Sequence, residues 1–451
     1  MVKHRIQLLA CLLACLSVTA FVHAQPSAPA DDPPDWVPLG AYVSWERIFH
    51  LAKHNKVDYW TDACKRLDVL KANFVDTLWA ANMQDEHFPR LIQECEKRDL
   101  KLLVAMGGIE IKLRDRWADG GTYYDRVVPY FVDRAGKSKS LIGWVLSDEP
   151  SHDEDFPHAE IVRKKFRELD PNRFCLMVTM WPNAPSVPGA TRLPVVCVDL
   201  YPFFGPNDPN GPHTPAASIQ FYRGKTQAMM DGIGSRNVAG WVMGQCFTEI
   251  RGQRKYDPAG KNLLALPGSY LHWVCPTPAQ VRWQVWEAIR GRAKGFIVYT
   301  VAPEAPSPET EHHREAGWTE LLDRTVDPGP NALTFPDGTA TPQLVELGQT
   351  YKLLAPHKAL IRRWKAVDAA DFEITSNGTV QRFTDPKTER DYLVIVNDDF
   401  DNQQVISITL KTSSSTLKDI VHGLPVKADN NARTTFVLPP GGGTILEIVR
   451  Q

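Results

Sequence analysis

The eight cysteines of this 451-residue chain include no CxxC pair. Without thiolates at that spacing, a structural zinc cluster has no support. Cys11 and Cys15 lie in the apolar N-terminal run. Cys64, Cys95, Cys175, Cys197, Cys246 and Cys275 fall mostly within expected helices or strands, where they read as small buried hydrophobes. No GxGxxG follows the first expected strand, so a dinucleotide fold lacks its phosphate-binding turn. His50 and His54 have helical i, i+4 spacing but not the Glu of HExxH, and read as a surface helix. The formal net charge of −2 leaves no basic footprint for nucleic acid. Past the N-terminus no apolar run approaches about 18 residues, so no membrane span is expected.

The N-terminus reads as an export signal over residues 1–24. Lys3, His4 and Arg5 supply the positive start, Ile6 to Val22 the apolar run, and Val22-His23-Ala24 small residues suited to cleavage before Gln25. Leu12-Leu13-Ala14-Cys15 resembles a lipoprotein signal, but the apolar run continues well beyond Cys15, which favours plain secretion or periplasmic release. Residues 25–35, QPSAPADDPPD, form a Pro- and Asp-rich linker.

From there, apolar strand-like runs alternate with helix-period segments. The expected strands are Pro38–Ser44, Phe74–Ala80, Leu102–Met106, Leu141–Ser147, Phe174–Thr179, Val195–Tyr201, Ala239–Phe247 and Gly295–Val301. Between most of them lie expected helices, including Tyr59–Ala72, His87–Arg98, Tyr124–Ala135, His158–Leu169, Ile219–Ile233 and Pro278–Ala293. Such alternation implies a parallel sheet, and eight repeats fit a closed (β/α)8 barrel over residues 36–341. The long stretches Cys246–Thr277 and Ala302–Leu333 follow strands, which places them at the barrel mouth. Residues 342–365 read as a connecting helix that leaves the barrel. Residues 366–451 read as a small antiparallel β-sandwich, with short strands at Thr379–Phe383, Tyr392–Val396, Val405–Leu410 and Thr444–Val449.

The stretch Leu141–Pro150, LIGWVLSDEP, is the most informative. A doubly buried strand ends abruptly in Asp148 and Glu149. Carboxylates at such a tip are costly unless solvated, paired or used, and C-terminal strand tips are where parallel α/β proteins place their sites. An acidic loop capping the next helix explains the decapeptide about equally well. The other tips carry Trp45 and Glu46, Trp79, Glu110, Trp181, Asp199 with Tyr201, Gln245 with Glu249, and Tyr299. Aromatic faces stack on C–H surfaces while acids and amides bind hydroxyls, so this rim suits a carbohydrate partner. Lys and Arg do not dominate it, which argues against phosphate-bearing substrates. Thirteen Trp are also ordinary core material, so each lone aromatic has an equal claim to the core. Glu46 and Glu110 read as loop or helix-start acids. His312-His313 read as solvated loop residues rather than metal ligands.

In these residues the chain resembles the retaining glycoside hydrolases of clan A, which are built on (β/α)8 barrels. The resemblance implies an acid/base Glu at the end of strand four, which is Glu149 here, and a nucleophile Glu at strand seven. The pair Thr248-Glu249 looks like the clan's Thr-Glu, making Glu249 the candidate nucleophile. Asp148 stands where the clan has Asn, which departs from its usual contact to the sugar 2-hydroxyl. Similar DEP-bearing barrels are secreted and glycosidase-like. In a competing alignment Gln245 takes the nucleophile position, and the chain is then a catalytically silent carbohydrate-binding barrel. An inverting hydrolase with Asp199 or another acid as base is a third reading. On the leading reading Trp45, Trp79, Trp181, Tyr201 and Tyr299 form the sugar platform, and Asp148, Asp199 and Gln245 bond substrate. That chemistry calls for no cofactor and no metal.

Overall fold

The computed structural model describes residues 32–105, 121–150, 155–206, 208–209, 211–306, 321–368, 372–374, 378–411, 415–423, 425–426 and 433–450. Seven parallel strands follow one another: β1 (Leu39–Ser44), β2 (Thr77–Ala81), β3 (Lys101–Ala105), β4 (Leu141–Asp148), β5 (Phe174–Met180), β6 (Val195–Leu200) and β7 (Ala239–Gln245). The chain then makes an excursion through β8 (Glu249–Arg251), β9 (Arg254–Tyr256), β10 (Leu263–Ala265) and β11 (Tyr270–Trp273). It returns as β12 (Phe296–Tyr299). β12 lies between β7 and β1 and closes the eight-stranded barrel.

Alternation along the strands builds two layers of core. Tyr42, Trp79, Leu103, Val145, Leu176, Cys197, Trp241 and Ile297 fill the barrel interior. Their strand neighbours, such as Trp144 and Leu146 on either side of Val145, face the outer helices. Trp144 stacks on Phe166 and donates its indole N–H to Asp170 at 2.9 Å. The outer helices have strong start signals. Asp58 caps Tyr59–Ala72, and Thr277 forms a capping box with Gln280 ahead of Pro278–Arg290.

The helix Pro342–Leu354, expected to leave the barrel, belongs to its outer ring. Tyr351 donates its hydroxyl proton to the Gly40 carbonyl at 2.8 Å, so this helix covers the seam where β12 meets β1. Beyond it, a six-stranded antiparallel sheet and a three-stranded one face each other. Phe372, Leu393, Ile395, Ile406, Ile408 and Leu446 from the two sheets form their shared core, the sandwich expected from the sequence. Arg223 ties sandwich to barrel, reaching Glu287 at 2.9 Å on one side and Asp398 at 2.6 Å on the other.

Candidate active site

Adjacent strand residues ordinarily face opposite ways, yet Asp148 and Glu149 both line one cavity of about 360 Å³ at the barrel mouth. Two local irregularities bring this about. The register between β4 and β5 shifts between Val145 and Asp148, and Glu149 then adopts a left-handed backbone with φ of 46°. Its N–H is held by the Val178 carbonyl at 3.1 Å. A bulge followed by a left-handed residue re-aims side chains, and non-glycine residues accept such a conformation at functional sites.

Asp199, at the end of β6, is buried behind this pair and hydrogen-bonded to Glu149. A bond between two carboxyl groups requires one of them to be protonated. Burial first, then Glu149, then the charge of Asp148 hold the Asp199 carboxyl well above the usual carboxylate range. Asp148 is pushed up to about 7, by burial and then by the charge of Glu149. Two of the three neighbouring carboxyls, Asp148 and Asp199, are therefore raised above the ordinary carboxylate range. Asp148 and Glu149 are both exposed at the mouth, where they line the cavity.

Another part of the lining comes from the excursion after β7. β8 pairs with β11, setting Glu249 across from Trp273, and Glu249, Arg251 and Trp273 all line the cavity. Glu249 forms an ion pair with Arg251 at 2.6 Å. The hairpin packs closely on the chain after β6. Gly205 donates to His272 at 2.9 Å, and a Cβ at Gly205 would lie 1.9 Å from the Leu271 carbonyl oxygen. Only glycine permits that approach.

Aromatic rings form the floor. Tyr299 packs on Tyr42 at 4.7 Å and on Phe247 at 5.0 Å, and Tyr201 meets both Phe247 and Trp273. Arg47 is pinned by the Tyr299 hydroxyl at 3.1 Å and by Glu304 at 3.2 Å, and Glu304 also holds Arg254. This network joins the first βα turn, the excursion and the chain after β12.

The cavity thus gathers Asp148, Glu149, Tyr201, Glu249 and Tyr299, with Asp199 bonded behind them. Four residues named from sequence for substrate contact lie elsewhere. Trp79 is a fully buried interior ring of the barrel, and Trp45 packs against Trp60 outside the strands. Both are core, because an inward or helix-facing position next to a strand tip is still inside the packing layers. Trp181 turns away from the cavity and stacks under Lys225, whose Nζ lies 3.3 Å from the ring centroid.

Gln245 is fully buried. Its carboxamide accepts from the Phe203 N–H at 2.9 Å and donates to the Phe203 and Val274 carbonyls at 3.0 Å. Both amide donors are committed to backbone carbonyls, and Gln245 does not line the cavity, although it is the last residue of β7 while Glu249 lies on β8. Glu46 is an exposed acid paired with His50 at 3.7 Å. Glu110 and His312-His313 lie outside the described residues.

Sequence reasoning missed Tyr42, Arg47, Asn82, Phe247, Arg251, Trp273 and Glu304. Tyr42 was findable as an inward position of β1. Glu304 and Trp273 sit in long stretches without a repeating pattern, where no periodicity singles out one residue.

No protein-family model matches the chain, and no curated protein matches it in sequence. Among solved structures, an alpha-amylase from Anoxybacillus is similar at 10% identity with a TM-score of 0.45, over 86% of this chain and 90% of that one. A family 51 alpha-L-arabinofuranosidase from Bifidobacterium longum is similar at 11% identity with a TM-score of 0.45, over 94% and 97%. A β-glucuronidase from Ruminococcus gnavus matches at 11% identity with a TM-score of 0.48, over 70% of this chain and 49% of that one. Activity is therefore argued from the site itself.

Proposed function

We propose that this chain is a glycoside hydrolase acting on an oligo- or polysaccharide by a retaining mechanism, and that it is exported to act outside the cytoplasm. One observation carries the activity: Glu149 and Glu249 open into the same aromatic-floored cavity from different elements of the mouth. Glycoside hydrolysis needs two carboxyl groups flanking the scissile bond, one as proton donor and one as carboxylate. Beside Glu149, the Asp148 and Asp199 carboxyls are both held above the usual carboxylate range, so the donor side carries protonated carboxyl groups. The Arg251 guanidinium, 2.6 Å from Glu249, favours the ionised form of that carboxyl.

In the first step Glu149 gives its proton to the glycosidic oxygen as the bond to the anomeric carbon breaks. Glu249 attacks that carbon and forms a glycosyl ester. Glu149, now a carboxylate, takes a proton from water, and the hydroxide formed displaces Glu249 to release the sugar. Tyr201, Tyr299 and Trp273 provide the apolar platform, Asp148 and Asp199 flank Glu149, and Arg47 holds Tyr299.

The ion pair of Glu249 with Arg251 also favours a second reading, a binding barrel without turnover, in which the carboxylate is committed to its guanidinium. Two variants separate the readings on any glycoside the protein cleaves. Glu149→Gln is expected to abolish turnover in a folded protein. Glu249→Ala is expected to lose activity and regain it in azide, with a glycosyl azide of inverted configuration as product. Wild-type turnover by either variant removes that residue from the mechanism. Saccharide binding without any hydrolysis by the intact protein supports the silent barrel.

A further inference from the structure

A second depression, of about 420 Å³, lies at the tips of β1 and β2. Its walls are Phe49 and His50 from the helix after β1, with the buried Trp45 beneath them, Tyr59 from the next helix, and Asn82 and His87 beyond β2. Asn82 also lines the catalytic cavity, so the two spaces share a wall. Like Glu149, Asn82 leaves its strand in a left-handed conformation, with φ of 55°. The rings form one cluster. Phe49 meets Tyr59 at 6.0 Å, Tyr59 meets His87 at 5.0 Å, and Tyr59 meets Trp45 at 6.4 Å. Phe49 nevertheless keeps 44% of its surface exposed. The buried Trp45 indole N–H has no protein acceptor. Glu46 and Gln84 add polar groups to the lining.

We infer that this depression is an additional sugar-binding subsite, which holds a further glycosyl unit of the chain whose scissile bond lies between Glu149 and Glu249. The inference rests on the proposed glycosidase reading and deepens it, because it makes the substrate an oligomer rather than a lone glycoside. Half-exposed rings beside amides, imidazoles and a carboxylate are the lining that a sugar needs, with apolar faces for its C–H surface and polar groups for its hydroxyls. The volume falls within the range of ligand pockets. The occupant follows from continuity: a saccharide seated on Tyr201 and Tyr299 and extended past Asn82, which lines both spaces, enters the depression that Phe49 lines.

The test compares wild type, Phe49→Ala and Phe49→Trp on xylo-, cello-, malto- and arabino-hexaose and on the matching p-nitrophenyl glycosides. It also measures binding of the same hexaoses to full-length Glu149→Gln with and without Phe49→Ala. The expected result is a kcat/KM on the hexaose that falls about tenfold more than on the aryl glycoside in Phe49→Ala, about 1.4 kcal/mol of differential binding. Phe49→Trp restores it, and hexaose affinity weakens by a similar factor in the double variant. Aryl glycoside cleavage with both probes affected alike by Phe49→Ala overturns the subsite and leaves the glycosidase reading standing. Neither cleavage nor binding of any of these saccharides by the protein overturns both.

Discussion

Replacing Gln245 with leucine tests whether the end of β7 braces the site or contacts substrate. The substitution keeps side-chain volume and removes the carboxamide. The Phe203 N–H loses its acceptor at 2.9 Å and the Val274 carbonyl its donor at 3.0 Å. The Phe203 carbonyl keeps a second partner, the Val274 N–H at 3.0 Å. Two backbone groups are thus left unsatisfied, each costing about 1–3 kcal/mol. Apolar burial of the leucine offsets part of this, so a net loss of about 2–4 kcal/mol is expected. That is a large share of a typical stability of about 5–15 kcal/mol. Urea denaturation followed by tryptophan fluorescence reads the change, and saccharide affinity is measured well below the transition. A variant with wild-type stability and weakened saccharide affinity would refute the bracing role and return Gln245 to the cavity.

The carboxyl wall gives two further predictions. In Glu149→Gln the Asp148 carboxyl loses a negative neighbour, so its titration moves below the wild-type position near 7 while burial keeps it above an ordinary carboxylate; carbon-detected NMR of labelled aspartate reads this, and an unmoved midpoint contradicts the coupling. Asp199, whose folded pKa is raised, removes stability as pH climbs from the unfolded carboxylate range toward its folded value, because the folded state then holds the extra proton. Asp199→Asn is therefore expected to melt higher than wild type at pH 8, with the difference shrinking toward pH 4, and a gap that widens on acidification contradicts the assignment.

Much of the barrel was legible because periodicity survives in sequence. All eight expected barrel strands overlap observed ones, from Leu39–Ser44 to Phe296–Tyr299, since doubly buried strands need unbroken apolar runs. The sandwich was legible in its longer strands, such as Arg390–Asn397. Its short edges, Lys365–Val367 and Pro425–Val426, carry too few residues to show alternation. Cavity-lining residues were legible where a strand ends in a charge, as at Asp148-Glu149. They were not legible where tertiary packing decides. Whether Trp79 faces core or solvent depends on which residue of β2 comes last, a matter of one position. Glu249 and Trp273 meet only because β8 and β11 pair, a contact between residues far apart in sequence.

The role of Glu249 admits a direct chemical test. The protein is incubated with the 2-deoxy-2-fluoro glycosyl fluoride of whichever sugar it releases, then digested, and the labelled peptide is sequenced by mass spectrometry. The predicted result is a fluoroglycosyl ester on Glu249, formed in the wild type and absent from Glu249→Ala. An ester on any other residue, or turnover to a product of inverted configuration with no ester formed, would contradict the two-carboxylate site described above.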